Sequence, residues 1–252
     1  MHRFFVPSTS LTGSDILLTG ETARQIARVL RMQAGDKVCL LDGHGWEYVV
    51  ELGELARNEV SCKLVEKRLG GGEPEARVTM YLALLNKADK FEWALQKCTE
   101  LGAAGFEAVV AARSVSEAPG PARTERWQRI IQEAAEQSGR SFLPTLTGTA
   151  TLAQVIHKEG TARKEQTNRQ HIALMPALGA KCSIAEALQG VERERADIAI
   201  ITGPEGGFTE DEVSAAEEAG ITPVTLGPRT LRAETAAVVA PALVLYELGE
   251  MR

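Results

Sequence analysis

Several classes of protein are excluded by what the sequence lacks. The four cysteines, Cys39, Cys62, Cys98 and Cys182, lie far apart with no Cys-x-x-Cys pair, and the four histidines show no metal-ligand spacing. No disulfide framework and no metal centre are expected, and the thiols read as reduced core residues. No apolar run approaches the roughly 20 residues that span a bilayer. The first residues, Met1-His2-Arg3-Phe4-Phe5-Val6-Pro7, lack the apolar core of a signal peptide, so a cytoplasmic protein without a membrane partner is expected. Aromatic residues are only 5% of the chain, which leaves few rings for stacking on bases. Positive charge is also short: the net charge is −6, with nine basic and nine acidic residues in 1–72 and 19 against 25 in the rest. A nucleic-acid partner would have to be met by local basic patches.

What is present is ordinary for a globular chain, with 44% hydrophobic and 25% charged residues in a length of 252. The first seventy residues predict short strands at Arg3–Val6, Lys37–Leu41, Glu47–Leu52 and Glu59–Val65. Asp42-Gly43-His44-Gly45 is a hairpin signal between two of them. One helix, from about Glu21 to Met32, places Ile26, Val29 and Leu30 on a shared face. Together these describe a small β-barrel with one helix. Gly70-Gly71-Gly72-Glu73-Pro74 is the dense Gly/Pro stretch, and the boundary is placed there, giving domains 1–72 and 73–252.

Beyond it the pattern alternates: strands at Val78–Leu85, Phe106–Ala112, His171–Pro176, Asp197–Thr202 and Ile221–Leu226, and helices at Ala88–Leu101 and Trp127–Ser138. Strands apolar throughout and separated by helices indicate a parallel sheet covered on both faces, an α/β domain. His157–His171 is polar and reads as a solvated loop. Pro241 falls inside the predicted last helix, where it should kink it or cost a hydrogen bond.

Two loops carry the chemistry. Asp197–Thr202 runs into Gly203-Pro204-Glu205-Gly206-Gly207-Phe208, after which Thr209 and Glu212 form the capping box of a new helix. The loop is neither a P-loop nor a G-x-G-x-x-G dinucleotide fingerprint, and it has no paired lysine. It suits a cofactor recognised by adenine and ribose. The second loop, Leu226-Gly227-Pro228-Arg229-Thr230-Leu231-Arg232-Ala233-Glu234-Thr235-Ala236, sets polar residues between a buried strand and an apolar helix, where burial without partners is costly.

These two loops resemble the signature loops of the RsmE family of 16S ribosomal RNA uracil-N3 methyltransferases. Supporting matches are Arg28-Val29-Leu30-Arg31-Met32, Gln96-Lys97 with Glu100-Leu101-Gly102, Glu136-Gln137-Ser138-Gly139-Arg140, and Leu174-Met175-Pro176. The resemblance implies a PUA-like RNA-binding β-barrel followed by a SPOUT-type parallel sheet with a C-terminal trefoil knot. It also implies a homodimer, S-adenosyl-L-methionine as cofactor, and 16S ribosomal RNA or the small ribosomal subunit as partner. The competing class is a non-catalytic RNA-binding or ribosome-assembly protein, against which the intact cofactor loops argue.

By the same resemblance the adenosine part sits among Leu174, Met175 and Pro176, Ile201, Gly203, Glu205 and Gly206, and Leu226, Gly227, Leu231, Thr235 and Ala236. Uridine N3 is a weakly acidic imide whose proton must leave for methylation, so a carboxylate, or a water it orients, can serve as base and a cation at a carbonyl can stabilise the anion, with positioning alone and no dedicated base as the alternative. Arg232 is the candidate for the carbonyl, Glu205 for the base, and Glu234 for a catalytic or sulfonium-facing carboxylate, or for a helix N-terminal anion. Arg3, Arg28, Arg31, Arg113 and Arg140 are the candidate RNA contacts.

Overall fold

The computed structural model describes residues 1–252 except 57, 117, 164–167 and 252. The chain forms two compact units: Met1–Glu73 with Gln132–Leu143, and Pro74–Ile131 with Pro144–Arg252. The stretch Gln132–Leu143 thus groups with the first unit although the sequence boundary leaves it in the second.

The first unit is a five-stranded sheet in the order β1-β3-β4-β5-β2. Its strands are β1 (Arg3–Phe5), β2 (Asp15–Thr19), β3 (Lys37–Leu41), β4 (Trp46–Leu55) and β5 (Glu59–Leu69). β1 runs parallel to β3 and the remaining pairings are antiparallel. Register shifts in β4 at Val49/Val50 and Leu52/Leu55 bend the long hairpin, and the sheet wraps one core of Phe4, Ile16, Leu18, Val38, Leu40, Val50 and Val60. The strand β2 escapes a reading by alternation because Leu17, on its outer face, is 53% exposed.

The first helix departs from expectation. It is α-helical only over α1 (Gly20–Arg24) and continues as a π-helix, Gln25–Val29, with Leu30 N–H bonded to Gln25 O. The wider turn rotates the apolar face, so Ile26 is buried while Val29 is 70% exposed. Two acids in this unit serve as internal anchors. Glu47 is 4% exposed and accepts from Arg3 and Arg68; burial opposes its ionisation, but the two guanidinium groups outweigh it and hold the carboxyl below its usual range. Glu73 accepts from the Arg140 guanidinium and from the N–H groups of Ser141 and Phe142.

The second unit is a seven-stranded sheet, order β10-β12-β9-β11-β6-β7-β8, with every neighbouring pair parallel. The strands are β6 (Arg77–Ala83), β7 (Gly105–Val110), β8 (Thr145–Thr151), β9 (Gln170–Pro176), β10 (Cys182–Ser183), β11 (Ala196–Thr202) and β12 (Thr222–Thr225). The helices are α2 (Ala88–Leu101), α4 (Leu152–Ala162), α5 (Ile184–Ala187), α6 (Glu210–Glu218) and α7 (Ala233–Glu247), and α3 (Pro121–Ser138) gives Pro121–Ile131 to this unit and its remaining residues to the first. The central strands divide their side chains between two cores. Val78, Met80, Leu174, Ile198 and Ile200 enter the one completed by α2 and α7, and Tyr81, Met175, Ala199 and Ile201 enter the one beneath α4 and α6. Pro241 stands inside an unbroken α7. The carbonyl four residues earlier, Ala237 O, which the proline cannot satisfy, accepts instead from the Cys98 thiol of α2 at 3.3 Å. Burial pushes that thiol's pKa up, so it remains a donor.

The segment 157–171 corrects the reading of a solvated loop. Residues 157–162 close α4, Gln170 and His171 open β9, and 164–167 lie outside the described residues. Glu159 is 4% exposed, accepts from Tyr81 Oη at 2.5 Å, and lies 2.8 Å from His171 Nε2, whose other ring nitrogen is 3.4 Å from Asp197 Oδ2. A histidine with a carboxylate on either side is held charged. Asp197 and then Glu159 raise its pKa from 6.5 to about 9 against the effect of burial. Because the folded pKa lies above the unfolded one, this stabilisation is fully present below about pH 6.5 and is lost as pH rises through about 9. The urea midpoint of the protein should therefore fall between pH 7 and pH 10, and His171→Gln should flatten that fall; an equal slope in the variant would refute the assignment.

Candidate functional site

Because β12, β9 and β11 are neighbours and parallel, the loops after them leave the same edge of the sheet. That edge is where ligands meet open α/β sheets. The glycine loop departs from β11 after Thr202, whose neighbours in the strand are wholly buried. It turns sharply through Gly207, which has φ 65° and donates from its N–H to Pro204 O at 2.9 Å. It ends in the capping box that starts α6: Thr209 Oγ1 accepts from Glu212 N–H, and Glu212 Oε2 accepts from Thr209 N–H.

The proposed cofactor residues fall into two groups. Leu174, Met175 and Ile201 are at most 1% exposed, so their side chains belong to the cores and only their backbone groups can face a ligand. Pro176, Gly203, Leu226 and Leu231 are half-buried at the loops, Thr235 and Ala236 are half-buried in the first turn of α7, and Glu205, Gly206 and Gly227 are exposed. The N–H groups of Glu205 and Gly206 have no acceptor among the described residues, which leaves two consecutive donors in the glycine loop.

Arg232 is exposed at the N-cap of α7, and Glu234 follows in the first turn. Glu234 Oε1 pairs with Lys90 Nζ at 2.8 Å, whereas its Oε2 is buried and has no partner among the described residues. The Lys90 ammonium beside it holds the Glu234 carboxyl below its usual range, with burial opposing. Glu205 accepts from Asn86 N–H at 3.1 Å, just ahead of α2. The β6–α2 connection therefore belongs to the site, and the sequence reading omitted it. A signal was available: Lys90 puts a cation in the first turn of a helix, where the macrodipole disfavours it unless an anion is near.

The five candidate RNA arginines separate. Arg28 and Arg31 are exposed around the π-helical turn, where Arg31 takes φ 53°. Arg3 and Arg140 are turned inward onto Glu47 and Glu73, with side chains 17% and 6% exposed. Arg113 donates to two carbonyls of the glycine loop.

A family model described as an RNA methyltransferase domain matches residues 73–245, and one described as an RNA methyltransferase PUA domain matches residues 18–65. The ribosomal RNA small subunit methyltransferase E of Bacillus subtilis is 33% identical, with 100% of this chain and 99% of that protein covered. This chain belongs to the methyltransferase E family. The Synechocystis member is 35% identical over 96% of this chain and 77% of its own length. Among solved structures, the family member from Neisseria gonorrhoeae, bound to S-adenosyl methionine, is similar with a TM-score of 0.83, 28% identity, and coverage of 98% of this chain and 97% of that one. Among the described residues no helix is long and apolar enough to cross a membrane.

The Lys90–Glu234 pair gives a direct check on the site's construction. Lys90→Ala leaves a largely buried carboxylate without its cation and should cost about 2 kcal/mol in urea unfolding at neutral pH. Lys90→Arg should retain most of the stability. Equal stability of Lys90→Ala and the wild type would show that the pair does not hold the start of α7.

Proposed function

We propose that this chain transfers the methyl group of S-adenosyl-L-methionine to N3 of a uridine in 16S ribosomal RNA, acting in the cytoplasm on the small ribosomal subunit. The observation that carries this reading is the convergence of the glycine loop and the 226–235 loop at neighbouring strand ends in a chain of the methyltransferase E family. The site suits the cofactor: the N–H groups of Glu205 and Gly206 in the glycine loop have no acceptor among the described residues, half-buried apolar groups at Pro176, Leu226 and Leu231 suit an adenine, and the sequence has no phosphate-binding lysine pattern. The cofactor, when bound, supplies an electrophilic methyl group on a sulfonium.

The chain's own residues have three tasks. Arg232, exposed at the N-cap of α7, faces a uracil carbonyl and stabilises the charge that builds on the ring as its imide proton leaves. Glu205 takes that proton from N3, directly or through one water. Glu234, kept ionised by Lys90, is a weak proton acceptor; its Oε2, without a partner among the described residues, is suited to accept a hydrogen bond from a bound ligand and to set a fixed negative charge near the sulfonium. Arg28 and Arg31 contact the RNA backbone, and the target base leaves its stack to reach the site.

The working form is a homodimer with the C-terminal segment threaded as a trefoil knot. Support for a second copy comes from α7, where Leu243 and Tyr246 are exposed, and from α2, where Trp93 is 42% exposed. The deciding experiment supplies radiolabelled S-adenosylmethionine and the protein to small subunits from cells lacking the enzyme, followed by nucleoside analysis. Label is expected as N3-methyluridine with wild type and to fall at least about 100-fold in Arg232→Ala, the scale of a lost charge-stabilising donor. Cofactor binding with no label in subunits or naked RNA would favour the non-catalytic RNA-binding reading.

A further inference from the structure

We propose that Arg113, in the connection after β7, is a positioning residue for the cofactor loop and not a contact to RNA. The inference deepens the methyltransferase reading and rests on it. One guanidinium nitrogen, Nη1, donates to Gly206 O at 2.8 Å and to Phe208 O at 3.2 Å. Each of those carbonyls belongs to a peptide unit whose N–H is held as well: Gly207 N–H by Pro204 O at 2.9 Å, and Thr209 N–H by Glu212 Oε2 at 2.8 Å. Both peptide planes are therefore fixed from both ends. The arginine stem lies against the loop too, since a Cβ added at Gly206 would stand 3.1 Å from Arg113 Cβ.

The arm that carries Arg113 is itself tied down. Glu212 Oε1 accepts from Ala112 N–H at 2.7 Å, Ser114 Oγ accepts from Ala111 N–H at 3.1 Å, and Ser116 Oγ donates to Leu85 O at 2.7 Å. Glu212 thus spans the start of α6 and the β7 connection with its two oxygens. With these peptide planes committed, the N–H groups of Glu205 and Gly206 inside the turn still have no acceptor among the described residues. Charge-assisted bonds to backbone carbonyls are stronger than neutral ones, and a loop already in its bound shape gives up less entropy when the ligand arrives. Arg113 acts on the cofactor through the loop's peptide planes.

The test titrates the full-length protein calorimetrically with S-adenosylhomocysteine and, in parallel, measures binding to a 16S ribosomal RNA fragment over a salt series. Arg113→Ala is expected to raise the cofactor Kd by about 10-fold or more, the loss of one charge-assisted anchor. RNA affinity and its salt slope should match the wild type. Arg113→Lys should be intermediate, because an ammonium lacks the guanidinium's planar fork. Gly206→Ala keeps the charge but pushes the loop off the arginine stem, and should raise the cofactor Kd in the same direction. Unchanged cofactor affinity in Arg113→Ala, with RNA affinity reduced and a salt slope shallower by about 0.9, would make Arg113 a phosphate contact and overturn the inference. Wild-type protein that binds no S-adenosylhomocysteine overturns the functional reading together with the inference. Wild-type binding matched by all three variants overturns the inference alone.

Discussion

The constraint on which the second unit depends is that its central strands are covered on both faces. In β11, Ile198 and Ile200 enter one core while Ala199 and Ile201 enter the other, and none is more than 1% exposed. Each large side chain so buried is worth roughly 1.5–3 kcal/mol, and a polar group in its place would forfeit that and add a desolvation cost. Polar chemistry open to a ligand is consequently placed at the strand ends, where the chain can turn away from the cores. A ligand at this edge meets backbone groups from the strands and side chains from the loops.

Polar groups that do enter the interior come as sets. Tyr81, Glu159, His171 and Asp197 link α4 to the strands β6, β9 and β11, and the Glu47 and Glu73 carboxylates each gather more than one donor in the first unit. Removing one member would strand a buried charge, which costs more than the intact set contributes. Such sets favour a single arrangement of the elements they join.

These sets also mark where the sequence stopped being legible. The range of α2, the edges of β3, the capping box at Thr209 and the buried character of β9 and β11 follow from local periodicity, capping chemistry and apolar runs, all confined to a few neighbouring residues. The edge strand β8, Thr-Leu-Thr-Gly-Thr-Ala-Thr, has no apolar run to announce it, and the π-helical turn at Gln25–Val29 breaks the 3.6-residue spacing that placed Val29 inside. The environments of the arginines are hidden for a different reason. The carboxylates that turn Arg3 and Arg140 inward lie 44 and 67 residues away in the chain, so no local pattern separates them from the exposed Arg28 and Arg31. The candidate site was legible at its two loops, which carry unusual local composition. The β6–α2 connection was not, because Lys90 and Asn86 acquire their meaning only when Glu234 and Glu205 arrive beside them.

The proline inside α7 ties together two positions 143 residues apart by the same kind of remote partnership. Because Cys98 supplies the donor that Pro241 cannot, substitutions at the two positions are expected to be linked. Lineages that keep a proline at this place in the helix are expected to keep a cysteine, serine or threonine opposite it. Those that lose the proline restore the helix's own bond and release the position in α2 to drift toward any small apolar residue.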